Sequence, residues 1–211
     1  MKEECNEQKP RTILYSGSFD PPGYHNTATA KALADFASEN DVVWILPYGG
    51  RPKKNGISKW QDRREMILRA LCGSKKTILD FMDLKHREMT PNIDMDRRFR
   101  DRQPNREVWH VIGANMIVGG AKKQSKIHQR WKEGPWVFDH LNFIILVTPN
   151  SPINKEDLPP RHNILRVNTQ GTSQEIRNRV SRGEPIDHLV PSNVLSYIQE
   201  HKLYFPNSAE T

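Results

Sequence analysis

The sixteen residues "RTILYSGSFDPPGYHN" (11–26) decide how the chain folds. The first seven are mostly β-branched or apolar and are closed by Gly17, the pattern of a short strand. From Thr27 to Ser38, Ala30, Leu33, Ala34 and Ala37 recur at helical spacing. Strand, glycine-containing loop and helix together open a βαβ unit. A parallel sheet binds ligands at the carboxyl ends of its strands. The loop "GSFDPPGYHN" (17–26) leaves the first strand at such an end and runs into a helix, where backbone N–H groups and the helix dipole can hold a phosphate. Glycine allows close backbone approach, and His25 at the helix start can donate to a phosphate oxygen. A Pro-Gly turn carrying an exposed histidine would leave the same local pattern.

Outward from this stretch, strand and helix patterns alternate. "DVVWILP" (41–47) is a continuous apolar run ended by Pro47, as in a strand buried on both faces. "KTILDFMDL" (76–84), "VWHVIG" (108–113), "LNFIILVTP" (141–149) and "NILRVN" (163–168) read as further strands. "SKWQDRREMILRAL" (58–71) is amphipathic, with Met66, Ile67, Ala70 and Leu71 on one face. Further helices are expected at about 93–102, 173–182 and 191–200. The stretch 119–136 reads as a loop-rich insertion. This alternation predicts an α/β chain with a parallel sheet.

Composition narrows the partners. Lys and Arg total 32 against 25 Asp and Glu, a net charge of +7 over 211 residues. That balance favours an anionic partner, whether nucleic acid, a membrane surface or a phosphorylated small molecule, although a basic surface alone would also produce it. Two cysteines, Cys5 and Cys72, are too few for a disulfide framework and lie outside any metal-ligand spacing. The polar start "MKEECNEQKPR" lacks the apolar core of a signal peptide, and no apolar run reaches the ~18 residues of a membrane span. A cytoplasmic protein is expected, with a nuclear location also open. The segment 85–106 is strongly charged but lacks the interleaved aromatic residues of a nucleic-acid reader.

The motifs together resemble a known family. "YSGSFDPP" followed by a helix is similar to the opening of the nucleotidyltransferase superfamily, whose usual text is G-G-[ST]-F-[DN]-P-x-H-x-G-H. "WILPYGGRPKKNGISKWQDRREMILRAL" resembles the second strand, basic loop and R-x-x-M helix of nicotinate or nicotinamide mononucleotide adenylyltransferases. "VWHVIGANM" resembles their strand ending in I-G-[AS]-D. "GTSQEIRNRVSRGEPIDHLVPSNVLSYIQEHKLY" resembles their closing I-S-S-T-x-I-R…G…LVP…V…YI…LY. The resemblance implies a single Rossmann-like domain over 11–205 with a small helical C-terminal part, flanked by polar tails at 1–10 and 206–211. It also implies adenylyl transfer from ATP to a pyridine mononucleotide, giving an NAD-type dinucleotide and pyrophosphate, with Mg²⁺ accompanying ATP and no dedicated protein metal site.

The resemblance also distributes roles. Gly17, Ser18, Phe19, Asn26, Ser173 and Arg177 are expected at ATP, with His25 and Arg177 acting in catalysis. Lys53, Lys54, Arg63, Asn115 and Trp131 are expected at the mononucleotide: the lysines at its phosphate, Asn115 at ribose hydroxyls, and Trp131 stacked on the pyridine ring. The first motif departs from the family text. Aligned without a gap, the two family histidines fall on Gly23 and Asn26, and the family glycine falls on His25. Shifting by one residue puts His25 on the second histidine, so His25 is expected to have taken over the phosphate contact. Asn115 and Gln174 stand where the family has aspartate and threonine. A weak or inactive nucleotide-binding relative, or a transferase using another phosphorylated acceptor, stays open on these departures. So does self-association into a homo-oligomer.

Overall fold

A computed structural model describes residues 9–50, 57–73, 76–86, 88–149, 151 and 153–206. Six parallel strands form one sheet: β1 (Arg11–Gly17), β2 (Val42–Pro47), β3 (Thr77–Leu79), β4 (Glu107–Gly113), β5 (Asn142–Val147) and β6 (His162–Arg166). Their order across the sheet is β3-β2-β1-β4-β5-β6, so chain direction across the sheet reverses between β1 and β4. The helices are α1 (Tyr24–Phe36), α2 (Trp60–Leu71), α3 (Asn92–Arg102), α4 (Lys126–Arg130), α5 (Gly134–His140), α6 (Ser173–Ser181) and α7 (Ser192–Glu200). The architecture is the α/β, Rossmann-like one expected from the alternating patterns.

Helices cover both faces, which is why the strands read as unbroken apolar runs. Ile13 and Tyr15 of β1 pack with Leu33 of α1 and Ile67 of α2. Leu14 points to the opposite face and packs with Met95 and Phe99 of α3. Phe143, Ile145 and Val147 of β5 pack against α4 and α5, while Met66 of α2 joins α6 and α7 in a separate C-terminal cluster.

Two expectations need correction. The strand expected over 76–84 stops at Leu79, because the Asp80 carboxylate accepts the Met82 N–H at 2.8 Å and turns the chain. The stretch 119–136 is not mainly loop: it holds α4, begins α5 and includes a 3₁₀ turn at Gly120–Lys122. Ser125 caps α4, its hydroxyl accepting from His128 N–H. The charged 85–106 segment carries α3 where a helix was expected, and the arginines of that helix are paired: Arg97 with Asp94 and Glu133, Arg98 with Asp83, Arg100 with Asp96, and Arg102 with Asp80. Acidic neighbours thus offset much of the charge that suggested a nucleic-acid face.

The register of the sheet creates the one feature that positions a site. β1 pairs with β2 through Gly17↔Pro47, and β4 pairs with β5 through Gly113↔Leu146. Between β1 and β4 the ladder ends earlier, at Leu14↔His110. The last three residues of each strand therefore separate and open a crevice at the carboxyl edge. It lies at the topological switch point, where open parallel sheets hold ligands.

Candidate active site

The loop leaving β1 makes an irregular turn. Gly17 ends the strand, and a Cβ there would stand 3.1 Å from the Phe19 ring. Phe19 has a φ of 45°, in the left-handed region that non-glycine residues seldom adopt. Its ring is buried in the core, edge-on to Tyr15 with centroids 5.3 Å apart. Phe19 is thus an anchor, and only its backbone remains for a nucleotide.

The loop is held from outside by its own carbonyl groups. Arg63 of α2 is 2 % exposed, and donates to the Ser18 carbonyl from Nε at 3.0 Å and from Nη2 at 2.8 Å. Nη2 also donates to the Tyr48 carbonyl at 2.6 Å, joining the ends of β1 and β2. Arg177 of α6 is 8 % exposed and donates through Nη1 to the Asp20 carbonyl. The Ser173 hydroxyl donates to the Pro21 carbonyl at 2.8 Å. Three carbonyl dipoles of the loop are thus capped by donors, two of them cationic. The N–H groups of Ser18 and Phe19 have no protein hydrogen-bond partner among the described residues. A backbone whose acceptors are capped and whose donors are free suits an anion.

Several expected ligand contacts receive other work. Arg63 was expected at the mononucleotide; it is buried, and its hydrogen bonds go to loop carbonyls. Asn26 was expected at ATP; its Nδ2 donates to the Tyr15 hydroxyl at 2.9 Å and its Oδ1 accepts the Gly23 N–H at 3.2 Å, so both ends of the amide hold the turn. Ser173 acts on Pro21, while Thr172 caps α6, its hydroxyl accepting the Glu175 N–H at 3.1 Å. The helix start is also less open than expected, because the Tyr24 N–H donates to the Leu189 carbonyl at 2.8 Å.

His25 sits in the first turn of α1. A Cβ on Gly23 would stand 2.9 Å from His25 Nδ1, 2.7 Å from the Leu189 carbonyl oxygen and 2.8 Å from Ile176 Cδ1. The imidazole thus crowds the place where a side chain at 23 would begin. Burial pushes the His25 pKa down to about 4, so the ring is neutral near pH 7. Nδ1 is buried without a hydrogen-bond partner among the described residues. A buried orphan N–H is costlier than a buried lone pair, which leaves the ring proton on Nε2 as a neutral donor.

Across the crevice, Asn115 is exposed in the 3₁₀ turn Ala114–Met116 that follows β4. Its Oδ1 would lie 2.9 Å from a Cβ on Gly113, so the side chain folds back over the strand end. Trp131 follows α4, half-buried against the β5 cluster, with its ring 6.5 Å from that of Phe143. Lys53 and Lys54 lie outside the described residues. A cleft of about 510 Å³ opens on the same edge, at the ends of β5 and β6, lined by Val147, Thr148, Ser151, Arg166 and Asn168.

Two features were missed in the sequence. Asp20 is fully buried, and its Oδ1 accepts the Tyr204 hydroxyl at 2.6 Å while Oδ2 accepts the Ser58 N–H at 3.2 Å. Burial and the neighbouring Asp20 charge push the Tyr204 pKa well above its ordinary value, keeping the phenol a donor. Both oxygens of this loop carboxylate are therefore occupied. Among the described residues no group of three or more His, Cys, Asp or Glu side chains could hold a metal ion. No described helix is long and apolar enough to cross a membrane.

A parallel sheet opened at its switch point, with an acceptor-capped loop beside the opening, is the kind of α/β crevice at which ligands are held. Comparison with known proteins specifies the kind. The chain is 29 % identical over 201 residues to a probable nicotinate-nucleotide adenylyltransferase of Methylacidiphilum infernorum, covering 93 % of each chain. It is 26 % identical over 204 residues to one from Leifsonia xyli, covering 96 % of this chain and 98 % of the other. Its fold is shared with the Plasmodium falciparum nicotinic acid mononucleotide adenylyltransferase complexed with NaAD, at a TM-score of 0.75 and 20 % identity, over 92 % of this chain and 97 % of that one. No protein-family model matches the chain. The chain is thus similar over nearly its whole length to proteins named as nicotinate-nucleotide adenylyltransferases.

Proposed function

We propose that the protein transfers the adenylyl group of ATP to nicotinate mononucleotide, forming the NAD-type dinucleotide and pyrophosphate. The observation that carries this reading is the loop at the β1–β4 opening, with the carbonyls of Ser18, Asp20 and Pro21 capped and the N–H groups of Ser18 and Phe19 without a partner among the described residues. The names of the similar proteins favour nicotinate over nicotinamide as the pyridine.

In the reaction, a phosphate oxygen of the mononucleotide attacks the α-phosphorus of ATP. The bond from that phosphorus to the bridging oxygen breaks, and pyrophosphate leaves with the electron pair. No covalent intermediate on the protein is needed, so catalysis consists of positioning and charge stabilisation. The loop N–H groups and His25 Nε2–H donate to phosphate oxygens as charge shifts. Arg177, whose Nη2 bonds Gln174 Oε1 at 2.5 Å, supplies positive charge at the helix start. Trp131 offers its face to the pyridine ring, Asn115 an acceptor to a ribose hydroxyl, and Lys53 and Lys54 charge to the mononucleotide phosphate. The cleft at the ends of β5 and β6 gives room for the nucleoside part of ATP. Magnesium comes with the ATP phosphates, as expected for an ion that keeps its waters and prefers substrate oxygens. The decisive experiment is pyrophosphate release from ATP and Mg²⁺ with each pyridine mononucleotide. Release that requires nicotinate mononucleotide supports the reading, and ATP binding without release under either mononucleotide overturns it in favour of a binding protein.

A further inference from the structure

We propose that Tyr204 is a positioning residue for ATP: its hydroxyl, bonded to the buried Asp20 carboxylate, fastens the C-terminal turn to the phosphate loop and sets the loop's geometry. The inference rests on the assignment of that loop to ATP.

Tyr204 follows the last helix and is delivered by a turn that bends sharply back. The Leu203 N–H closes on the Ile198 carbonyl at 3.0 Å, and the Lys202 N–H on the Gln199 carbonyl at 3.3 Å. Lys202 and Tyr204 have φ values of 49° and 67°, two non-glycine residues in the left-handed region within one turn. Such conformations cost energy and persist where their surroundings hold them. Packing on the C-terminal cluster holds this turn in part, and the hydroxyl–carboxylate bond at 2.6 Å ties it to the loop, with Met66 Sδ 4.0 Å from the same hydroxyl.

The far end of that bond is the middle of the loop. Asp20 is fully buried, so each of its oxygens needs a donor. The Tyr204 bond is the shorter of its two and the only one made by a side chain among the described residues. Asp20 also balances the charge of Arg63, whose burial it offsets, and it lies in the strand-loop segment whose carbonyls Arg63 and Arg177 hold. Without the phenol, an unsatisfied carboxylate oxygen would compete with Ser18 and Asp20 carbonyls for those guanidinium groups. The loop N–H groups would then shift.

The test is Tyr204→Phe, which removes one oxygen and keeps the ring, read by steady-state kinetics and by amide hydrogen exchange over residues 17–22. The expected result is a KM for ATP raised about tenfold, as for loss of one hydrogen bond to a charged group. The KM for the mononucleotide should stay within twofold, and exchange should quicken in the loop but not in β5. Unchanged loop exchange, or equal changes in both KM values, would overturn the proposal. Tyr204→Phe placed on Asp20→Asn gives an independent reading should the single variant not fold. It should add nothing to the ATP KM of Asp20→Asn, because the carboxylate through which the hydroxyl acts is gone; a further tenfold rise would overturn the route. Absence of turnover in the wild type would count against the proposed transfer alone, since loop exchange and ATP–Mg²⁺ affinity still report on the strap.

Discussion

His25 Nδ1 lies 2.9 Å from the point where a Cβ on Gly23 would stand. Aligned without a gap, the family text would put histidine at 23 and glycine at 25, the reverse of what stands here. The imidazole from position 25 reaches back over its own N-cap, and only glycine at 23 leaves room for it. Gly23→Ala is therefore expected to destabilise the protein by roughly 1–3 kcal/mol, the usual cost of overpacking. The backbone oxygen of Leu189, 2.7 Å from the new Cβ, has little freedom to retreat. Thermal melts of the two proteins check this, and an unchanged melt would show that the turn relaxes freely.

The same imidazole makes a prediction about catalysis. His25→Ala should lower kcat by about a hundredfold with a small change in KM, as for loss of a donor used mainly in the transition state. Because burial holds the His25 pKa at about 4, the wild-type rate should show no limb near 6.5 from this group. A pH–rate profile with such a limb that disappears in His25→Ala would contradict the neutral Nε2–H donor.

Stability should follow the same group with a definite sign. The folded imidazole titrates at about 4 against an ordinary 6.5, so the unfolded chain binds the proton first as pH falls. The contribution is intact above pH 6.5 and is lost between 6.5 and 4, at most roughly 3 kcal/mol. Chemical denaturation at pH 7 and pH 4.5 should show a smaller pH-dependent loss in His25→Gln than in wild type. Equal losses would mean that the folded imidazole protonates freely.

Arg63 separates a structural role from a ligand contact. Arg63→Met would leave the Ser18 and Tyr48 carbonyls without their buried donor and Asp20 without a counter-charge. A loss of roughly 3 kcal/mol is expected, or a fall in Tm of the order of 6–12 °C for a chain of this size. A melt like that of wild type combined with a raised mononucleotide KM would return Arg63 to the substrate.

The order of elements was legible because the central strands β1, β2, β4 and β5 are largely buried and each long helix keeps one apolar stripe. β3 was over-read because "KTILDFMDL" stays apolar after Leu79, while a single side-chain bond at Asp80 turns the backbone. α4 and α5, of five and seven residues, are too short to show a helical period, and only Ser125 as a cap and Pro135 in a first turn signalled them. At the site, the loop and the α6 segment were legible from their text. That Arg63 and Arg177 are buried clamps was not, since burial of an arginine depends on carbonyls distant in sequence. Tyr204 escaped for the same reason: its partner lies 184 residues away.

Trp131 tests the placement of the pyridine ring. Trp131→Ala should raise the KM for the mononucleotide more than that for ATP, because stacking acts on the ring it covers, and Trp131→Phe should recover part of the loss. The half-burial of Trp131 against the β5 cluster adds a fall in Tm to both variants. Equal KM changes for the two substrates would reduce Trp131 to packing.

The central claim is adenylyl transfer, and following the phosphorus atoms tests it most directly. With ATP labelled at the α-phosphate, Mg²⁺ and nicotinate mononucleotide, the label should appear in the dinucleotide. With ATP labelled at the γ-phosphate it should appear in pyrophosphate, and neither transfer should proceed without the mononucleotide. Label from the γ-position found on the mononucleotide, or α-label that stays in ATP while ATP binds, would contradict the account.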